Sequence, residues 1–255
     1  ADNLGSETPG TYSGRGMATG SYVQATIKAI RKISPTVREL TLDVGKSSGF
    51  KFFPGQWVDF LIPRMQLIGG YSITSTPRTL KDKGLIELAV KASKHPPAAW
   101  VHAVAEEGTV VHVQPGGTFG LESTEGVHSV FIAGGIGIAP FISMLRCLHG
   151  NAEADSKAKP GKVTLLYTAR APEELIYQDE LEKMCDDAHF SVTGTSEEWK
   201  GARGRIDEEL LKKKIENVDG TIVYVCGPPA MTNDIMLVLV GLKVPSKNIK
   251  YEKWW

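Results

Sequence analysis

The chain has 255 residues, 42% of them hydrophobic, and its 29 basic residues are matched by 29 acidic ones. That length suits two ordinary domains, and the balanced charge offers no electrostatic footprint for nucleic acid or an anionic membrane surface. The longest apolar run, Ser129 to Leu145, is broken by glycine and proline and falls short of a membrane span, so a soluble protein is expected. Residues 1–19 are rich in Gly, Ser and Thr and almost free of large aliphatic side chains, which predicts a flexible tail. They lack the Arg-rich helical pattern of a targeting peptide. From residue 20 to 122 the pattern is short, β-branched and alternating: Tyr22–Ser34, Thr36–Val44, Gln56–Pro63, Tyr71–Pro77, Leu85–Ala92 and Thr109–Gly117. Strands at that spacing predict an antiparallel barrel or sandwich. One helix interrupts them, from Pro96 to its expected end at Gly108. From residue 127 to 255 apolar strands alternate with helices: strand 129–135, helix 139–150, strand 162–169, helix 172–187, strand 189–195, helix 207–215, strand 221–229 and helix 230–242. That alternation predicts a doubly wound parallel sheet, with residues 151–161 a solvated loop.

Three cysteines, Cys147, Cys185 and Cys226, have no paired spacing, so neither a disulfide framework nor an iron–sulfur cluster is encoded and a reducing compartment fits. No H-E-x-x-H, Cys/His cluster or G-x-S-x-G occurs, so no metal site and no esterase nucleophile is expected. Three segments carry chemistry. In "AGGIGIAPF", Gly134, Gly135 and Gly137 turn the chain tightly after a strand, and Pro140 suits the start of a helix. Such a turn presents amide groups to an anion, although close helix-to-strand packing explains the glycines equally well. In "VYVCGPPAM", Cys226, Gly227, Pro228 and Pro229 open a second strand onto a helix. Both turns fall at strand carboxyl ends, where open α/β sheets bind ligands. On burial statistics alone, Cys226 reads first as a small buried hydrophobe. The third segment, "YEKWW", puts three aromatics in five residues, which must either fill an interface or cover something flat.

Taken in order, "PGQW", "YSITSTP", "AVKASK", "PGGTFG", "GGIGIAP", "CGPPAM" and the aromatic end resemble the ferredoxin reductase superfamily of flavin-dependent nicotinamide oxidoreductases, over residues 21–255. The resemblance implies a flavin-binding barrel followed by a Rossmann-like NAD-binding domain. By carry-over, Tyr71 packs beside the isoalloxazine and ribityl chain, Ser72 lies near flavin N5, and Ile73 and Thr74 touch the ring edge. Val90 and Lys91 line the flavin and receive the dinucleotide. Ala98 and Ala99 open the helix that faces phosphate. Gly134, Gly135, Ile136, Gly137, Ile138, Ala139 and Pro140 form the dinucleotide turn, and Cys226, Gly227, Pro228 and Trp254 lie by the nicotinamide. Ser72, Cys226, Glu252 and Trp254 are the implied catalytic set, with Trp254 a gate or stacking group.

The chain departs from the family at Gly69, where an arginine normally meets flavin phosphate, and at His95 and Ala98, where Gly and Ser are usual. Helix amides and Arg64 remain as anion-binding candidates. FAD is the expected cofactor, with FMN the alternative. NADH is expected over NADPH, because Glu197 and Glu198 would repel a 2′-phosphate, although Lys200 and Arg203 pull the other way. The implied reaction is hydride transfer from nicotinamide C4 to flavin N5, then transfer to a separate carrier, a quinone-like acceptor or oxygen. Two other readings are a flavin-less dinucleotide sensor or scaffold, and an electron-transfer subunit active only in a complex. The resemblance also implies a mitochondrial location.

Overall fold

A computed structural model describes residues 22–63, 65, 67–122, 125–150 and 161–254. The expected tail at 1–19, Arg64 and loop residues 151–160 lie outside the described residues. The first domain holds β1 (Val23–Lys32), β2 (Val37–Asp43), β3 (Trp57–Ile62), β4 (Leu67–Ser72), β5 (Leu85–Lys91) and β6 (Val110–Gly116). They pair antiparallel in the order β4-β3-β6-β1-β2-β5. A bridge from Ile73 to Leu88, with Thr74 N donating to Glu87 O at 2.8 Å, joins the two ends and closes the barrel. Alternation decides what faces where: β3 sends Val58, Phe60 and Ile62 into the core and leaves Trp57, Asp59 and Leu61 half-buried on the outer face.

Two helices decorate the barrel, and one was not anticipated. α1 (Pro77–Lys83) begins where Thr76 Oγ1 accepts from Thr79 N at 3.1 Å, with Pro77 at the first position, and it ends at Gly84 with φ 72°. Those are ordinary cap signals, but the surrounding strand pattern hid them. α2 (Pro96–Ala103) stops five residues short of Gly108. That glycine (φ 83°) instead starts the turn into β6, its amide donating to Ile27 O at 2.8 Å.

The second domain contains β7 (His128–Gly134), α3 (Ala139–Gly150), β8 (Val163–Ala169), α4 (Gln178–Met184), β9 (Asp187–Val192), β10 (Ala202–Arg203), α5 (Glu208–Lys214), β11 (Thr221–Gly227), α6 (Pro229–Gly241) and β12 (Ile249–Lys253). All pairs are parallel, in the order β10-β9-β8-β7-β11-β12. The helix expected over 172–187 is broken. Pro172–Glu174 form one 3-10 turn, Tyr177 adopts φ 61°, and only Gln178–Met184 are α-helical. The cause is a pull from the barrel. Glu174 accepts from Ser34 (3.2 Å) and Thr36 (2.5 Å), and the Tyr177 hydroxyl donates to Glu39 Oε2 at 2.6 Å.

These contacts belong to a wider seam between the domains. Arg146 of α3 donates to Thr74 O (3.0 Å), Glu87 (2.9 Å) and Glu180 (2.7 Å), and its guanidinium lies 5.5 Å from the Tyr177 ring. The buried Ser143 hydroxyl donates to Ser75 O at 2.7 Å. Val37, Ala89 and Phe119 of the barrel side pack within the apolar cluster of the second sheet. No helix among the described residues is long and apolar enough to cross a membrane.

Because Arg146 satisfies partners on both domains, Arg146→Ala is expected to cost on the order of 2 kcal/mol, below the 3–5 of a fully buried pair, since Glu180 keeps partial access to water. Thermal denaturation would read this as a midpoint lower by several degrees. An unchanged midpoint would show that the seam holds without it.

A cleft between the domains as candidate active site

β7 stands in the middle of the parallel sheet, with β8 on one side and β11 on the other, so the chain reverses its winding direction there. Helices leave the two sides in opposite senses and a crevice opens at the strand carboxyl ends. The barrel closes the other side, and the resulting cleft measures about 1530 Å³. Twelve expected residues line it: Tyr71, Ser72, Lys91 and Ala98 from the barrel; Gly134, Gly135, Ile136, Gly137 and Ala139 from the β7 turn; and Gly227, Pro228 and Trp254 from the far edge. Eight others do not. Ile73, Thr74, Val90, Ile138, Pro140 and Cys226 are buried behind the wall, and Ala99 is exposed elsewhere on α2. Glu252 also stands behind the lining, where it accepts from Trp254 Nε1 at 2.9 Å.

Both readings of the glycine turn hold at once. A Cβ on Gly134 would sit 2.5 Å from Met231 Sδ, and one on Gly137 would collide with the Cys226 carbonyl, so these two serve packing. Gly135 has φ 54° and open space around it, so it serves the turn facing the cleft. The helical path begins with a 3-10 turn at Gly135–Ile138, so Pro140 stands at the second position of α3, after the turn has formed.

The barrel wall differs from expectation at its phosphate end. Tyr71 lies on the inner face of β4, edge-on to Phe60 at 5.5 Å, and its ring folds back over Gly69. A Cβ at residue 69 would lie 2.6 Å from the Tyr71 hydroxyl oxygen, so the ring fills the space an arginine stem would need. That hydroxyl is buried without a partner, and burial pushes its pKa up. At the start of α2, Pro96 and Pro97 have no N–H, and Ala99 N is already bonded to His95 O at 3.0 Å. The expected anion-binding amides therefore reduce to that of Ala98. Ser72 suits the polar edge of a flavin ring, while the Tyr71 hydroxyl stays buried on the inner face. Among the described residues, Ser93, His95 and the Ala98 amide are what that end of the cleft offers a phosphate.

Sequence reasoning did not single out Trp57, Thr168, Arg170 or Arg205, all of which line the cleft. Thr168, one residue before the end of β8, pairs with Gly134 and has a buried hydroxyl that lacks a partner. The rule that strand carboxyl ends face ligand would have found it. Glu197 and Glu198 are exposed and lie outside the cleft lining. Lys200 and Arg203 fold onto their own loop, Lys200 donating to Glu197 O at 3.2 Å and Arg203 to the carbonyls of Ser196 and Trp199. No group of three or more His, Cys, Asp or Glu side chains suited to a metal occurs among the described residues.

Electrostatics in the cleft centres on Glu174, 3.3 Å from Lys91 Nζ. Burial alone would raise its pKa, but the Thr36 hydroxyl, Lys91 and the Ser34 hydroxyl outweigh that and hold it below the ordinary 4.5. A depressed folded pKa contributes stability that is present above the unfolded value and lost as pH falls through the folded one. Glu174→Gln is accordingly expected to be less stable than wild type at pH 7 and to lose less on acidification below about 4.5. Parallel denaturation curves across that range would contradict this.

All three thiols are shielded. Burial pushes Cys147 up to about 11, Cys185 to about 12, and Cys226 well above its ordinary value. With so little thiolate at pH 8, the folded protein is expected to resist iodoacetamide and to take up three adducts in urea, read by mass spectrometry. Rapid alkylation of the folded chain would place a reactive thiol where the structure has none.

Residues 131–236 match the family described as oxidoreductase NAD-binding domain. The chain is 37% identical over 240 residues to oxidoreductase NAD-binding domain-containing protein 1 of Danio rerio, covering 87% of this chain and 88% of the relative. It is 30% identical over 250 residues to ferredoxin–NADP reductase B of Sorangium cellulosum, covering 91% and 97%. Among solved structures, the CS-b5R domains of human Ncb5or in the NAD+ form superpose with a TM-score of 0.76 at 21% identity, over 91% of this chain and 70% of that one. The cytochrome b5 reductase domain of Ulva prolifera nitrate reductase gives 0.75 at 20% identity, over 91% and 97%. Those two likenesses concern the fold, and the sequence relatives settle kinship: the chain belongs to the oxidoreductase NAD-binding domain-containing protein 1 family, built on the ferredoxin reductase fold.

Proposed function

We propose that the chain is an NAD(P)H-dependent flavoprotein reductase that passes electrons to an acceptor outside this chain. The observation that carries this reading is that Ser72, the Gly134–Gly137 turn and Trp254 converge on one cleft, although they come from different domains and strand ends. A bound flavin, FAD with FMN as the alternative, supplies the acceptor for hydride from nicotinamide C4. Ser72 orients the ring edge from the outer face of β4, where it pairs in register with Trp57. Trp254 covers the nicotinamide end and keeps water out, held by Glu252. Cys226 stays an uncharged thiol behind that end, since burial disfavours its thiolate and nothing in hydride transfer asks for an acid or base there.

The proposed donor is NAD(P)H without preference, because Glu197 and Glu198, the carboxylates that favoured NADH, lie outside the cleft lining. The groups in position to test a 2′-phosphate are Arg170 and Arg205, the latter 3.8 Å from Asp234, rather than Glu197 or Glu198. A mitochondrial location is proposed on family resemblance alone. The second reading, a dinucleotide sensor without flavin, draws on Tyr71 filling the space over Gly69 and on the prolines that open α2.

Purified protein incubated with FAD or FMN and then desalted should carry flavin absorbance that NADH bleaches anaerobically, with NADPH as the comparison. Ser72→Ala should slow bleaching about 10- to 150-fold, the rate equivalent of one hydrogen bond of ~1.5–3 kcal/mol. Flavin uptake without bleaching by either dinucleotide would end the reductase reading, and dinucleotide binding without any flavin uptake would favour the sensor.

A further inference from the structure

Two tryptophans from different domains meet across the cleft. Trp254, just past the end of β12, stands edge-on to Trp57 of β3, with ring centroids 6.5 Å apart and planes at 90°. The two partners are anchored differently. Trp57 is fixed: its backbone lies in register between Ser72 and Gly116, and its ring lies on Gly116 and Gly117. A Cβ at Gly116 would come within 2.7 Å of that ring and one at Gly117 would collide with it, so only a glycine pair lets the indole lie flat. The adjoining Gln56 amide donates to Gly117 O at 3.0 Å and ties the same turn down. Trp254 is held at the chain's edge, by its backbone N–H to Gly227 O (3.1 Å), its indole N–H to Glu252 (2.9 Å) and packing against the apolar cluster beside Cys226.

Whole-domain opening is an expensive way to admit a nicotinamide. It would break the Arg146, Ser143 and Tyr177 bonds and expose the apolar contacts of Val37, Ala89 and Phe119. Moving one indole gives up the edge contact with Trp57, the hydrogen bond to Glu252 and local packing beside Cys226, a smaller set than the domain seam. We propose that Trp57 is the catch of this gate, a positioning residue that holds Trp254 across the cleft and thereby sets dinucleotide affinity. This rests on the reading of the cleft as a dinucleotide site. The ligand pays for release of the Trp57–Trp254 contact, so removing the catch tightens binding instead of weakening it.

The test is titration calorimetry with NAD+, the oxidised and unreactive dinucleotide, on the full chain and its variants. An aromatic edge contact of ~0.5–1.5 kcal/mol converts to about a 2- to 12-fold change in Kd. Trp57→Leu and Trp254→Ala should each tighten NAD+ by that factor. Trp57→Phe, which keeps a ring, should stay near wild type. In the Trp254→Ala background, Trp57→Leu should change nothing further, since the interaction it acts through is gone. An effect of Trp57→Leu that persists in that background, or a loss of affinity matched by wild-type behaviour of Trp254→Ala, would make Trp57 a structural prop and overturn the proposal. Should Trp57→Leu fail to fold, the Trp57→Phe and Trp254→Ala pair decides it: Trp254→Ala no tighter than wild type overturns the catch. If no variant, Trp254→Ala included, binds NAD+, the dinucleotide reading itself falls and the catch with it.

Discussion

One half-buried guanidinium decides the geometry on which everything else depends. Arg146 leaves α3 of the parallel domain and finds Thr74 O and Glu87 on the barrel before returning to Glu180 on its own side. Desolvation would lower its pKa, and the paired carboxylates more than offset that, so the charge persists. Its anchor on the barrel, Thr74, lies two residues beyond Ser72. The same strand end that faces the cleft is therefore pinned to the helix that starts at the glycine turn, and the spacing of the two cleft walls is fixed from within a few residues of both.

Periodicity carried much of the fold. Alternation such as that of Val58, Phe60 and Ile62 against Trp57, Asp59 and Leu61 is a local property, and so is the mainly apolar pattern of β8, whose residues Val163–Ala169 are all buried. Failures came where a distant partner overruled a local preference. Residues 172–187 read as one helix because their propensities are helical, but Ser34, Thr36 and Glu39, more than a hundred positions away, draw Glu174 and Tyr177 out of it. β12 and α1 were missed for a simpler reason: a short strand read only for its aromatics, and a threonine N-cap lying between two strands.

Legibility of the cleft divides along the same line. Turns made by sequence-local glycine, such as Gly134–Gly137, could be placed at the mouth of the site from the chain alone. Side-chain direction could not. Ser72 and Tyr71 are adjacent, yet strand pleating sends them to opposite faces, and only the structure shows the Tyr71 ring occupying the room above Gly69. Glu197 and Glu198 follow β9 in sequence but lie clear of the lining, whereas Arg170 and Arg205 reach it from the ends of other segments.

The apolar cluster that contains Val37, Ala89 and Phe119 alongside Phe131, Phe141 and Tyr224 crosses the topological border between the halves. Chain connectivity and core membership thus disagree about where one unit stops. Severing the polypeptide in the segment between Leu121 and Val127 would leave each fragment with a raw hydrophobic scar instead of a finished surface, inviting aggregation. Cooperative unfolding of both halves together follows from the same shared interior, since neither can melt without stripping the other.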